Sequence, residues 1–132
     1  TDNATPSGLA AAAGALLTYA ALTGSDAHRT AAEAALRTVA PLFGRHARFA
    51  GWACAVAEAL VAGPAEVAVV ERPDLLAVAR LATSPGAVVV GSGPLVEGRP
   101  AGAAYVCRSF VCEAPTTDAA RLREQLGVRQ AR

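Results

Sequence analysis

Cys107 and Cys112 are the residues whose type and spacing come nearest to chemistry. Two thiols that can meet cycle between dithiol and disulfide. In a straight strand, residues five apart point to opposite faces and cannot bond. A hairpin loop over Arg108 to Val111 would instead set them opposite each other, within disulfide range. That loop holds no Gly and carries Phe110 and Val111, so the turn is only weakly signalled. The competing reading is a pair of small buried residues in a reducing cytosol. Cys54 falls beside Ala50, Ala57 and Val61 at helical spacing and reads as core.

No metal or cofactor is expected. Two cysteines, with only His28 and His46 elsewhere, give no zinc-ligand spacing. Both histidines stand next to arginines near predicted helix ends and read as surface residues. Gly91-Ser92-Gly93 follows a predicted strand, but Pro94 and Leu95 come next, and no helix follows on which a phosphate could sit. That stretch is a turn. No Gly-x-Ser-x-Gly or other Ser/His/Asp pattern occurs.

The elements that must position these residues are mostly helical. Of the 132 residues, 53% are apolar but only 5% aromatic. Ala makes up about a quarter of the chain, which favours closely packed helices over bulky aromatic cores. All 12 basic residues are Arg, the mark of a GC-rich genome. The net charge of +1 is scattered, with no basic stripe for nucleic acid and no polybasic run for a membrane. Between Asp2 and Asp26 no residue is charged, yet Asn3, Pro6, Ser7, Gly8 and Gly14 interrupt the run. It falls short of the roughly 20 strongly apolar residues a span needs, and no signal peptide is visible. A buried helix in a soluble, cytoplasmic protein is the expectation. The chain starts at Thr1 and contains no Met, so it reads as cut from a larger protein.

Three helices are predicted first. Pro6 to about Leu22 has Thr5 as its cap and Gly24 past its end. It is uncharged all round and should be buried all round. The second runs from Ser25 or Asp26 to about Phe43, frayed by Pro41, with Arg29, Glu33 and Arg37 pairing along one face. The third runs from about Ala47 to Ala62, with Phe49, Trp52, Ala53, Val56 and Leu60 on one side. Buried, half-exposed, buried is the order expected of a double ring of antiparallel helices. After Pro64 the period changes. Glu66 to Val70 and Ala87 to Val90 read as strands around a short helix opened by Pro73, a parallel βαβ unit. Gly91 to Gly102 is a loop and Ala103 to Cys107 a third strand. Thr116, Thr117 or Asp118 caps a last helix through Leu122 and Leu126. The fold class is α+β, mostly α, with a helical segment over 1–63 and a small α/β unit over 64–132.

Three segments carry a family resemblance: TDNATPSG at Thr1 to Gly8, ALTGSDAHRTAAEAAL after it, and YVCRSFVCEAPTTD from Tyr105 to Asp118. The chain resembles the C-terminal end of the long thioredoxin-domain-containing proteins, which include the spermatogenesis-associated proteins of animals. These join a thioredoxin-like domain to an α/α barrel of the six-hairpin glycosidase and N-acylglucosamine 2-epimerase kind. The resemblance implies that Ala10 to Ala62 ends the barrel. It also makes a redox role for Cys107 and Cys112 attractive. In sugar-acting barrels the loops before inner helices line the cavity mouth, where paired carboxylates do acid and base work. Asp2, Ser7 and Glu58 are the candidates for that role here, with a carbohydrate as the ligand of the full-length protein. Their plainer readings are a chain end, a first helical turn and a solvated surface.

The expectation is a structural and binding segment, not catalytic alone, partnered by the upstream part of its own protein or by a second copy of itself. The alternatives are a thiol redox accessory through Cys107 and Cys112, or part of a carbohydrate-acting barrel.

Overall fold

The computed structural model describes residues 1–128. Helices α1 (Gly8–Thr23) and α2 (Asp26–Val39) form a hairpin joined by Gly24 and Ser25. A two-residue joint forces antiparallel neighbours. Ser7, not Thr5, caps α1, its Oγ accepting the backbone N–H of Ala10 at 3.3 Å. Gly24 closes the helix in the left-handed conformation, as its position just past the apolar run predicts. Helix α2 stops at Val39, and Ala40–Leu42 tightens into a 3-10 turn because Pro41 cannot continue the ladder. A second 3-10 turn, Ala47–Phe49, precedes α3 (Gly51–Ala62). That break resets the helical phase. Ala53, Val56 and Ala59 point inward, whereas Trp52 is 53% exposed and Phe49 is exposed too. Among the described residues no helix is long and apolar enough to cross a membrane.

The three helices share a core of Ala10, Ala13, Leu17, Ala32, Leu36 and Val56, small residues that let the axes approach. The expectation that α1 is buried all round is corrected. Leu9, Ala11, Ala15 and Tyr19 lie exposed, because among the described residues its core contacts come from α2, α3, one end of the sheet and the Leu95 loop. The charge ladder of α2 is also partial. Glu33 pairs with Arg37, but Arg29 donates to the carbonyl of Leu60 on α3.

The α/β unit follows. Strand β1 (Ala65–Val69), α4 (Pro73–Ala79) and β2 (Val88–Val90) form the βαβ unit, with β1 and β2 parallel. Strand β3 (Ala104–Arg108) and the two-residue β4 (Val111–Cys112) add antiparallel neighbours, giving the order β2-β1-β3-β4. Helix α5 (Ala119–Gln125), capped by Asp118, packs with α4 on one face of the sheet. There Val67, Val69, Val106, Leu75 and Leu122 are fully buried, each contributing about 1.5–3 kcal/mol. The other face carries Ala68, Val88 and Tyr105 and receives Ala21 of α1 and Leu95 of the following loop. The fold is α+β, mostly α.

Candidate functional site

Cys107 and Cys112 are bonded to each other. The bond depends on the hairpin. Arg108 and Val111 flank a two-residue turn, Ser109-Phe110, whose φ angles are 49° and 62°. Two positive φ angles are the mark of a type I′ turn, normally made by Asn and Gly. For side chains with a Cβ each costs about 1–2 kcal/mol. Several contacts from outside the hairpin offset that cost. The backbone N–H of Phe110 donates to Glu66 Oε2 at 2.9 Å, the Phe110 ring lies against Gly24, and Arg108 donates to the carbonyl of Gly63 at 2.8 Å.

Val106 and Glu113 are directly opposite and joined by a backbone bond of 2.9 Å, which makes Cys107 and Cys112 a non-hydrogen-bonded pair. At such positions the side chains stand closest. Their Cα atoms are 3.9 Å apart. Glu66, Cys107 and Cys112 are consecutive partners across β1, β3 and β4, so their side chains share one face of the sheet. On that face Arg99 reaches both sulfurs. Its guanidinium lies 3.5 Å from Cys107 Sγ and 3.6 and 3.7 Å from Cys112 Sγ. Arg99 Nε donates to the carbonyl of Leu95 at 2.7 Å, and its guanidinium carbon sits 4.8 Å from the centroid of the Tyr105 ring. Tyr105 in turn donates its hydroxyl to the carbonyl of Pro100, pinning the loop that carries Arg99.

Glu66 is buried, and burial pushes its carboxyl above the ordinary carboxylate range. The Phe110 and Ser109 N–H groups and the charge of Arg99 pull the other way and do not fully offset it. A cavity of about 220 Å³ opens beside this carboxyl, between the end of α1 and the hairpin, with Asp26, Arg29 and Ser109 as further polar walls. No family model, curated protein or solved structure matches this chain.

The structure brings Asp2 and Ser7 together but in a capping role. Asp2 Oδ1 accepts the Ser7 N–H at 2.7 Å and Oδ2 accepts the Ala53 N–H at 2.9 Å. Helix α3 begins after Ala50, which has no capping side chain, so Asp2 supplies the cap from the far end of the chain. Those bonds, that of Ser7 first, hold the Asp2 carboxyl below its ordinary value. Glu58 is exposed on α3 and makes no hydrogen bond with either residue. His28 bonds to Ser25 within α2's first turn, and Cys54 is a free, half-buried thiol on α3. Among the described residues no group of three or more His, Cys, Asp and Glu is placed to hold a metal.

Two residues of this site escaped sequence reasoning. Arg99 lies in the Gly- and Pro-rich loop over 91–102, where no motif singles it out. Glu66 did leave a signal, a lone charge inside an apolar strand, where an acid is rarely found without a partner.

Proposed function

We propose that this chain is a structural and binding segment, not a catalyst by itself, whose uncharged α1–α3 face docks on the helices of an α/α barrel. One observation carries this reading. Trp52 is 53% exposed on α3, and Ala11 and Ala15 are exposed on α1. Between those helices runs a groove of about 430 Å³ walled by Ala11, Gly14, Ala15, Trp52, Val56 and Ala59. An apolar face of this kind, with no charged residue between Asp2 and Asp26, is costly in water and fits an apolar helix better than a polar ligand. The resemblance to the C-terminal part of thioredoxin-domain-containing proteins supports a barrel helix as its occupant. The capping roles of Asp2 and Ser7 leave no pair of carboxylates free on this face to argue for sugar chemistry.

The isolated chain, lacking that occupant, should cover the face with a second copy. Sedimentation velocity over a concentration series, with Trp52 fluorescence in parallel, reads this directly. Association with a blue shift of Trp52 is expected, lost in Ala15→Arg while far-UV circular dichroism is unchanged. A chain that stays monomeric up to millimolar concentration, with Trp52 still in water, overturns the proposal.

A further inference from the structure

We propose that the Cys107–Cys112 disulfide is a thiol–disulfide exchange site of fixed polarity, in which an incoming thiolate attacks Cys112 and Cys107 leaves beside Arg99. Exchange requires an attacking thiolate to reach one sulfur along the line of the bond, so access decides which sulfur is attacked. Cys107 is 2% exposed, whereas Cys112 is exposed on the edge strand. The bonded pairs on either side, Arg108 with Val111 and Val106 with Glu113, turn the N–H and C=O of Cys112 away from β3. Among the described residues β4 is an edge strand of the sheet. One cysteine of the pair is exposed and the other is buried.

Arg99 supplies the second half of the argument. A guanidinium gains little from a neutral disulfide but stabilises a thiolate strongly. It is held over both sulfurs by Leu95 and Tyr105, so it need not move when the bond opens. A leaving thiol of lowered pKa departs faster. The fitting reductant is a dithiol. Its first thiolate bonds to Cys112 Sγ as the Cys107–Cys112 bond breaks, releasing the Cys107 thiolate. Its second thiol, once deprotonated, attacks the reductant's own sulfur in the mixed disulfide and expels Cys112 as thiolate. The dithiol loses two electrons and two protons and becomes a disulfide; the cysteine pair takes the electrons as two thiolates, and the protons pass to water or back to those thiolates. This site is independent of the α1–α3 face.

The test begins with the oxidised chain and a brief pulse of reduced glutathione, a monothiol that stops at the mixed disulfide. Acid quenching, alkylation and peptide mapping should find glutathione on Cys112 and the alkyl label on Cys107. Glutathione on Cys107, or shared evenly, overturns the polarity. Reduction by dithiothreitol should slow about tenfold in Arg99→Gln and recover in Arg99→Lys. An unchanged rate in Arg99→Gln removes Arg99 from the proposal. Reduction of the native chain no faster than its global unfolding makes the disulfide a sealed structural bond and overturns the exchange site.

Discussion

The buried carboxylate of Glu66 accepts the backbone N–H of Phe110 at 2.9 Å. One side chain on β1 thus holds the turn that sets Cys107 opposite Cys112. The carboxylate stands in the same cross-strand row as the disulfide.

That placement predicts a pH-dependent stability. The folded-state pKa of Glu66 is raised above its ordinary value of 4.5, chiefly by burial. Deprotonating it in the folded protein therefore costs stability. The cost is absent below pH 4.5, grows as pH rises through the folded-state pKa, and is complete above it. Glu66→Gln keeps an oxygen for the Phe110 N–H and removes the charge. It should melt higher than the parent at neutral pH and lose that advantage below pH 4.5. Equal differences at both pH values would contradict the assignment.

Asp2 has the opposite sign. Its folded-state pKa lies below the ordinary 3.8, so its stabilising contribution is present above that value and is lost as pH falls through the folded-state pKa. Asp2→Ala removes both caps, on Ser7 and on Ala53, and should cost about 2 kcal/mol in a denaturant titration near neutral pH. In strong acid the parent and the variant should converge.

Gly24 links the helical hairpin to the cysteine hairpin. Its φ is 73°, and an added Cβ would lie 3.3 Å from the Phe110 ring. Gly24→Ala should destabilise by about 1–2 kcal/mol through the left-handed backbone alone, with further loss as the ring is displaced. Chemical denaturation midpoints check the size of the effect. A neutral result would mean that the end of α1 and the turn are not packed as described.

Removing the disulfide should cost little, because the loop it closes is short. The Cys107→Ser, Cys112→Ser double variant is expected to lose about 2 kcal/mol on loop-entropy grounds. It should fold with unchanged helix content, since neither cysteine belongs to a helix. Circular dichroism with thermal melts reads both. Failure to fold would show that the hairpin needs its covalent tie.

Much of the scaffold is legible in the chain. Gly24 ends α1 where the apolar run ends, and Asp118, one of three adjacent cap candidates, caps the last helix. The change from helical period to short runs of Val after Pro64 marks the parallel βαβ unit. Boundaries shift where two signals compete. Pro6 suits a first helical position, yet Ser7 takes the cap because its hydroxyl reaches the Ala10 N–H and Asp2 holds its own N–H.

Helix ends, strand period and the mostly helical α+β class are local properties, each set by neighbours a few residues apart. The uncovered face of α1 was not local, since burial depends on which elements reach the helix, and its composition alone predicted cover all round. Nor was the cysteine pair. Ser109 and Phe110 have no preference for the positive φ angles they adopt, so nothing within the loop specifies the turn. It is held by Glu66, 44 residues away in sequence, and by Gly24 at the end of α1. Arg99 meets the sulfurs only because Tyr105 and Leu95 fold its loop back over the sheet. Tertiary contacts decided these placements, because a turn conformation that is locally unfavourable forms only when distant groups offset its cost.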